Sequence, residues 1–382
     1  MRYGFVRLDY TAILLGKPLK FPVYTGDGRL LLNKGYIVRT REQLETLITR
    51  GIYQRIEDRR PQRPGGGTGP AEVLKAGVNP FTEFDSLSVP LKATAELIAQ
   101  RDAEASKKIR ILVARIEDFC EQEPDACLGK IHFQTSPDPL DQALFHAILC
   151  CLVSRNVGLD IQRGKRLIAA ALTANLALLP FQDKLNQSRN TLNEKQREVI
   201  NKHPHLSALA LRQSGINDEY WLRIVEQHHE RHDGTGYPDG LRGNNILAEA
   251  RILAAVEYYT SLITDRAYRD PISPGDAQQS ILAGLPADEP TDLYLALIDV
   301  VTPYPPGTLV QLINGEIAIV THRSAAGSNP PAPRVKAVIN PKGGFYAGPL
   351  QRHTDQEDYR ISDWHAPCPL PPLNLTQIWG LS

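Results

Sequence analysis

A pair of adjacent histidines lies in the middle of the chain, where metal or phosphate chemistry would need nitrogen ligands. His228 and His229 are neighbours, and His232 follows one helical turn after His228. Ile224 and Val225 precede His228 by four and three residues, which places His228 on the apolar face of a predicted helix. A buried imidazole needs a polar partner. The pair therefore indicates either metal coordination or hydrogen bonding within the core.

A glycine-rich loop follows the histidines and surrounds Gly236, Tyr237 and Pro238. Glycine permits close backbone approach, and proline stiffens the turn. Such a loop can offer backbone N–H groups and an aromatic face to a ligand, although a plain surface loop has the same composition. These three residues are the predicted ligand-binding positions of the loop.

The helix predicted after this loop carries Glu257 on its apolar face. A carboxylate there requires a cation or strong hydrogen-bond donors. With His228 and His229 it would form a metal shell of nitrogen and oxygen ligands. Arg266 and Arg269 lie further along, and guanidinium groups suit phosphate oxygens. Solvated arginines at a helix end are the simpler alternative.

The overall composition excludes several classes of protein. The 382 residues are 42% hydrophobic and 23% charged, with zero formal net charge, so we expect neither DNA nor a membrane as a partner. The start of the chain has no apolar signal segment, and no apolar run is long enough to span a bilayer. Five cysteines without a CxxC pair favour a reducing, cytoplasmic setting. His322, His353 and His365 are scattered, and we expect them on the surface.

The chain is predicted to be mainly α, with four segments. Residues 1–56 would form a small α+β unit, with strands at Leu19–Tyr24 and Arg29–Leu32 and a helix at Arg41–Arg50. Residues 57–80 are rich in glycine, proline and arginine and are predicted to be a linker.

Residues 81–300 show helical periodicity and would form an all-helical core. Residues 301–382 would form a small β-barrel-like unit, because Asn314-Gly315 is a strong hairpin signal. Its predicted strands are Leu309–Leu312, Ile317–Val320 and Arg334–Ile339.

Two segments together resemble a known signature. HHERHDGTGYPDGLRG followed by ARILAAVEYYTSLITDRAYR is similar to the HD-GYP family, a subgroup of the HD phosphohydrolases, over about residues 140–285. The resemblance implies a helical HD-GYP-type core. Members with a complete site hydrolyse cyclic di-GMP at a centre of two or three metal ions, commonly iron or manganese. The N-terminal unit also resembles segments that precede such domains in bacterial signalling proteins.

The resemblance also implies roles for individual residues. Arg266 and Arg269 match phosphate-contacting positions, and Glu257 stands where the family normally has aspartate. The metal-binding positions that retain a ligand-type residue are His146, His203, His228, His229 and Glu257.

The defining His-Asp pair of the family is missing. A family segment of the form HDIGKIGIP aligns on Pro180 with residues 172–180, so Leu172 replaces the histidine and Thr173 the aspartate. Gln142 replaces the glutamate before the early histidine, and Thr260 replaces a second aspartate. Threonine is neutral and cannot hold two ions roughly 3.5–4 Å apart. We therefore assign no catalytic residue and expect at most one divalent transition metal: iron, manganese or zinc.

Three functions follow from these observations. The first is a catalytically degenerate HD-GYP-like signalling protein that binds cyclic di-GMP or a diguanylate cyclase domain through the loop around Gly236, Tyr237 and Pro238, called the GYP loop below. The second is an active metal-dependent cyclic di-GMP phosphodiesterase with an atypical metal centre. The third is a structural or interaction protein whose histidines are hydrogen-bonded core residues. A homodimer is compatible with all three.

Overall fold

A computed structural model of the chain describes most residues from 80 to 380 and a smaller part of the N-terminal region. The described residues are 5–7, 13, 17, 19, 22–25, 30–32, 36–38, 40, 52–55, 80–134, 137–181, 193–266, 269–324, 331–371 and 373–380. The chain divides into two compact units, residues 1–76 and 77–382. The predicted division into four segments remains a prediction.

The first unit contains a four-stranded antiparallel sheet in the order β1-β4-β2-β3. The strands are β1 (Phe5–Arg7), β2 (Val23–Thr25), β3 (Leu30–Leu32) and β4 (Ile52–Arg55). The predicted pair of strands is therefore present as β2 and β3, with the first strand beginning later than expected. The predicted helix at 41–50 and the linker at 57–79 lie outside the described residues.

Ten helices occupy the described part of residues 80–301, as the apolar periodicity predicted. They are α1 (Pro80–Ala99), α2 (Glu104–Gln122), α3 (Pro124–Phe133), α4 (Pro139–Asn156), α5 (Ile161–Thr173), α6 (Glu194–Gln213), α7 (Glu219–Gln227), α8 (Ala248–Ile263), α9 (Pro274–Ala283) and α10 (Asp292–Val301). Asp138, Asp160 and Asp218 start α4, α5 and α7 by accepting hydrogen bonds from free backbone N–H groups. No described helix meets the length and hydropathy needed to cross a membrane.

Helix α4 is the centre of the helical core. It is buried along almost its whole length, from Ala143 to Ser154, and packs against α1, α2, α5, α8 and α10. A helix that is apolar on all sides must be enclosed by others. This position brings His146 of α4 against α8, while α6 and α7 pack together beside them.

The C-terminal strands form one open antiparallel sheet in the order β8-β7-β6-β5-β9. The strands are β5 (Leu309–Leu312), β6 (Ile317–His322), β7 (Arg334–Ile339), β8 (Phe345–His353) and β9 (Ile361–His365). The three predicted strands are confirmed, but the barrel-like prediction is not, because β8 and β9 remain unpaired edges among the described strands. A barrel closes only when its edge strands pair with each other.

A short last helix, α11 (Leu375–Trp379), attaches this sheet to the helical core. The Trp379 ring lies 4.9 Å from that of Phe81 on α1, between ring centroids. It also lies directly over Gly129 of α3, where a Cβ atom would overlap the indole. Only glycine therefore allows the close packing of Trp379 on α3.

A buried ion pair holds the sheet together. The carboxylate of Glu316, which is 3% exposed, accepts hydrogen bonds of 2.8 Å from Nε and Nη2 of Arg352 on β8. Tyr346 donates its hydroxyl to the same carboxylate at 2.5 Å. The Arg352 guanidinium holds the pKa of Glu316 at about 2, well below its ordinary 4.5.

Removal of Arg352 should destabilise this sheet. R352M leaves the Glu316 carboxylate buried without a counter-ion, and we expect a loss of about 2–4 kcal/mol in the free energy of unfolding at pH 7. Because the pKa is lowered in the folded state, the pair stabilises the protein above pH 4.5 and this contribution disappears as the pH falls towards 2. Urea unfolding at several pH values measures it. R334M, at an exposed arginine of β7, is the control; equal stabilities of the two variants would contradict the prediction.

Candidate metal centre

Three of the predicted ligands meet in a single cluster. His203 lies within α6, His228 caps the C-terminus of α7, and His229 follows it. Their ligand nitrogens all lie within 4.8 Å of one another. Within the described residues, this is the one group of histidine, cysteine or carboxylate side chains with a metal-binding arrangement.

The hydrogen bonds of His203 and His228 fix which nitrogen carries the proton. Nδ1 of His203 lies 2.5 Å from the Ile200 carbonyl, and Nδ1 of His228 lies 2.7 Å from the Val225 carbonyl. A carbonyl only accepts, so both Nδ1 atoms carry hydrogen. The two Nε2 atoms face each other at 3.2 Å. In the neutral rings each Nε2 atom carries a lone pair, so the two lone pairs face each other. Only a proton or a cation shared between them makes this contact favourable.

A proton is the weaker of these two explanations. Burial and the neighbouring His228 lower the pKa of His203 to about 4. Burial and His228 also bring the pKa of His229 well below its usual range. Two carbonyl-anchored imidazoles with converging Nε2 atoms are the arrangement that metal sites use, because the Nδ1–H bond fixes the tautomer.

Glu257 of α8 supplies a carboxylate to the cluster. One of its oxygens, Oε2, lies 3.8 Å from Nε2 of His228 and 3.9 Å from Nε2 of His229. Burial opposes its ionisation, but the facing histidines outweigh this effect and hold the pKa of Glu257 well below its usual range. Its carboxylate oxygens face the same space as the imidazole nitrogens.

His146 lies beside Glu257 and outside the cluster of three histidines. Thr260 donates its hydroxyl to the Glu257 carbonyl at 3.0 Å and so accepts from Nε2 of His146 at 2.9 Å. Nδ1 of His146 then faces Oε1 of Glu257 at 3.4 Å and has no other hydrogen-bond partner. The substitution of aspartate by Thr260 thus orients His146.

Asn175 is a site residue that the sequence did not identify. Its Nδ2 donates to Oε1 of Glu257 at 2.7 Å. Asn175 aligns with a glycine of the HDIGKIGIP segment, so its side chain is an addition to that pattern. Its position within the apolar run of residues 172–179 could have indicated a polar role, because a buried amide needs a hydrogen-bond partner.

The residues at the missing His-Asp positions are part of the core. Leu172 is 2% exposed and Thr173 is 0% exposed, at the end of α5. The Thr173 hydroxyl donates to the Ala169 carbonyl at 2.7 Å and accepts from Nε1 of Trp221 at 3.0 Å. Both residues are therefore part of the core, and Thr173 links α5 to α7 through Trp221.

The GYP loop is held against the histidines by its backbone. Tyr237 donates its N–H to the His229 carbonyl at 3.1 Å, and the two rings lie 4.7 Å apart between centroids. A Cβ atom at Gly236 would overlap the backbone of Arg231 and His229, so this position requires glycine. The buried Glu230, which sequence reasoning missed, accepts from the backbone N–H groups of Asp239 and Leu241 and shapes the loop that contains Pro238.

The two predicted phosphate-binding arginines lie in a short bridge after α8. Arg266 and Arg269 pair through their backbones, and the Arg269 guanidinium donates to the Ser261 carbonyl. The side-chain amide oxygen of Gln142, when it points towards Arg266, accepts hydrogen bonds from Nη1 of Arg266 at 3.2 Å and from Nη2 of Arg266 at 2.9 Å. The residue that replaced a family glutamate is thus a hydrogen-bond partner of Arg266.

The donor set fits one transition metal ion. Three neutral imidazoles and a carboxylate suit zinc, iron or manganese. His203, His228, His229 and Glu257 would hold the ion, and Asn175 would orient the carboxylate. The converging Nε2 atoms at 3.2 Å are the structural reason for this assignment.

Comparison with known proteins agrees with this architecture. Residues 133–284 match the family model described as HD domain. An HDG"Y"P protein from Bdellovibrio bacteriovorus has a similar fold, with a TM-score of 0.53 and 16% identity, covering 78% of this chain and 99% of that one. Residues 133–284 of the chain are therefore similar to HD domains, and its fold is similar to that of an HDG"Y"P protein.

Curated relatives are named as cyclic dinucleotide phosphodiesterases. A cyclic di-GMP phosphodiesterase from Borreliella burgdorferi is 28% identical over 195 residues, 50% of each chain. One from Pseudomonas aeruginosa is 24% identical over 233 residues, 60% of this chain and 55% of that one. A 3'3'-cGAMP-specific phosphodiesterase from Vibrio cholerae is 30% identical over 127 residues, 33% and 29% of the two chains. The chain thus spans about half the length of the first two relatives.

Two substitutions in the diverged segment should separate metal binding from packing. N175A removes a donor to Glu257, and we expect it to weaken zinc affinity about tenfold or more, since such supporting residues typically matter by that amount. T173V removes the hydrogen bond to Trp221 and should cost about 1–2 kcal/mol of stability while zinc affinity stays unchanged.

Competition with a chromogenic chelator measures the zinc affinity, and urea unfolding measures the stability. An equal loss of zinc affinity in T173V would place Thr173 in the metal shell and contradict this arrangement.

Proposed function

We propose that the chain is a cyclic di-GMP signalling protein with a degenerate catalytic site, whose HD-GYP domain binds the nucleotide and does not hydrolyse it. The observation that carries this proposal is that the Thr173 hydroxyl accepts a hydrogen bond from Trp221 and donates one to the Ala169 carbonyl. Hydrolysis at a two-metal centre needs a carboxylate shared by both ions. At this position the side chain is neutral and its hydroxyl already has both partners.

The remaining site is suited to holding one ion and orienting an anionic ligand. Such an ion would attract phosphate oxygens and polarise them. Tyr237, stacked on His229, offers an aromatic face to a base, and aromatic stacking is a common way to bind single nucleotides. Arg266 and Arg269 remain the proposed phosphate contacts. A diguanylate cyclase domain is the proposed protein partner of the same loop.

An active enzyme with an atypical centre is the second candidate. The converging ligands His203, His228, His229 and Glu257 favour it, because a single bound ion also supplies Lewis acidity. A purely structural domain is the third candidate, and the mutual contact of the His203 and His228 Nε2 atoms counts against it, since a metal-free core gains nothing from facing lone pairs.

Metal content and turnover separate these candidates. After incubation with Fe²⁺ or Mn²⁺ and desalting, we expect about one equivalent of metal per chain and no conversion of cyclic di-GMP or 3'3'-cGAMP to linear dinucleotide, because the second ion has no bridging ligand. Elemental analysis and chromatography measure the two quantities. Two equivalents of metal, with turnover that H228A abolishes, would establish the enzyme instead.

Nucleotide binding is tested by calorimetry with cyclic di-GMP on the metal-loaded chain. We expect Y237A to weaken binding by at least about fivefold, since stacking of a base on an aromatic ring is worth about 1–3 kcal/mol. Y237F retains the ring and is the matched control, so its affinity should stay close to that of the native chain. Absence of heat with the native chain would refute nucleotide binding, whereas equal affinities in Y237A and Y237F would refute the role of Tyr237.

A further inference from the structure

A cavity of about 360 Å³ lies between the helical core and the C-terminal sheet. Helical residues such as His132 and Ile263 form one side, and Leu309 of β5 forms another. The segment that follows β9, including Cys368 and Leu370, forms a third side. Its volume falls at the lower end of the range of small-molecule sites, roughly 300–1,000 Å³.

The walls of this cavity carry no charged side chain of the aspartate, glutamate, lysine or arginine type among the described lining residues. Four prolines, Trp364 and several aliphatic side chains supply most of the surface. Moving an ion into such surroundings is costly because no counter-charge is present. The walls therefore select a neutral and largely apolar occupant.

The lining residues include two side chains with acceptor atoms, Thr308 and His365, and one with an indole N–H donor, Trp364. Nδ1 of His365 donates to the Ala366 carbonyl at 2.7 Å, which leaves Nε2 as an acceptor. The Thr308 hydroxyl donates to the Pro305 carbonyl at 2.8 Å, which leaves its oxygen lone pairs. Thr308 and His365 thus offer two acceptors to an occupant.

His132 adds no further polar atom for an occupant. Its Nδ1 lies 2.8 Å from the Leu128 carbonyl, and its Nε2 lies 2.8 Å from the Tyr259 hydroxyl. Both ring nitrogens are therefore engaged within the protein. The thiol of Cys368 is a weak donor. An occupant with a hydroxyl or N–H group can donate to the acceptors of Thr308 and His365.

We propose that this cavity is a binding site for a neutral, largely apolar small molecule that carries a hydrogen-bond donor such as a hydroxyl or N–H group. The site is separate from the metal centre and does not depend on the proposed function. Ile263, in its wall, belongs to α8, the helix that also carries Glu257. An occupant would therefore pack on the helix that positions the carboxylate.

Cys368 provides a reporter for occupancy. It is half-buried in the cavity wall, whereas the other four cysteines are at most 2% exposed. The rate of its modification by N-ethylmaleimide in the full chain, followed by mass spectrometry, should fall when the cavity is filled. The probes are 2-naphthol, naphthalene and 2-naphthoate at pH 7.

Protection by 2-naphthol should be saturable. Its affinity should be about three- to tenfold higher than that of naphthalene, because that ratio corresponds to the net contribution of one hydrogen bond. The carboxylate of 2-naphthoate should abolish protection. H365F should remove the preference for 2-naphthol over naphthalene. Equal protection by all three probes in the native chain, or none by 2-naphthol, would overturn the proposal.

A filling variant and a matched control complete the test. L370W places an indole in the cavity and should slow modification without any probe and abolish the effect of 2-naphthol. L350W makes the same change on exposed β8, outside the cavity, and should behave like the native chain. If L370W still responds to 2-naphthol as the native chain does, the probe binds elsewhere and the proposal is wrong.

Discussion

The contact between the Nε2 atoms of His203 and His228 is the constraint on which the site depends. Both rings are fixed by hydrogen bonds from Nδ1 to helix carbonyls, so neither can turn its lone pair away. The 3.2 Å contact is then favourable only with a cation between or beside them. The carbonyls come from α6 and the end of α7, so the packing of these two helices sets the position of the proposed ion.

Residues 172–175 contribute both to the core and to the candidate metal centre. Leu172 and Thr173 are buried, and the Thr173 hydroxyl accepts from the indole N–H of Trp221. A buried donor left without an acceptor would cost about 1–3 kcal/mol. Asn175 meanwhile donates to Glu257, so the remaining carboxylate has a neutral donor beside it as well as the histidines.

The polar networks in this protein are of two kinds, those whose groups are all paired and those with groups left unpaired. Glu316 and Arg352 form a closed pair, in which each charge has its partner and nothing remains to bind a ligand. At the metal centre, by contrast, Nδ1 of His146 has no hydrogen-bond partner, and the Nε2 atoms of His203 and His228 face each other. Polar groups left unsatisfied in an otherwise well-packed core are where binding is expected.

Local pattern was sufficient for much of the architecture. Helical periodicity predicted the core helices, and Asn314-Gly315 predicted the hairpin of β5 and β6, because both signals depend on neighbours in sequence. The barrel-like prediction was not confirmed, because β8 and β9 lie at opposite edges of the sheet and closure would require them to pair. His365 was expected on the surface, yet it lines a cavity formed by segments far apart in the chain.

The sequence by itself determined the ligand candidates, since His228, His229 and Glu257 are anomalous on apolar helix faces and the GYP segment is long and specific. Only the tertiary structure decided which of them meet. It brought His203 to His228, set His146 behind Glu257, added Asn175, and directed Thr173 towards Trp221. The physical reason is that a residue's spacing fixes the face of its own helix, whereas the atom it faces across the core depends on how separate helices pack.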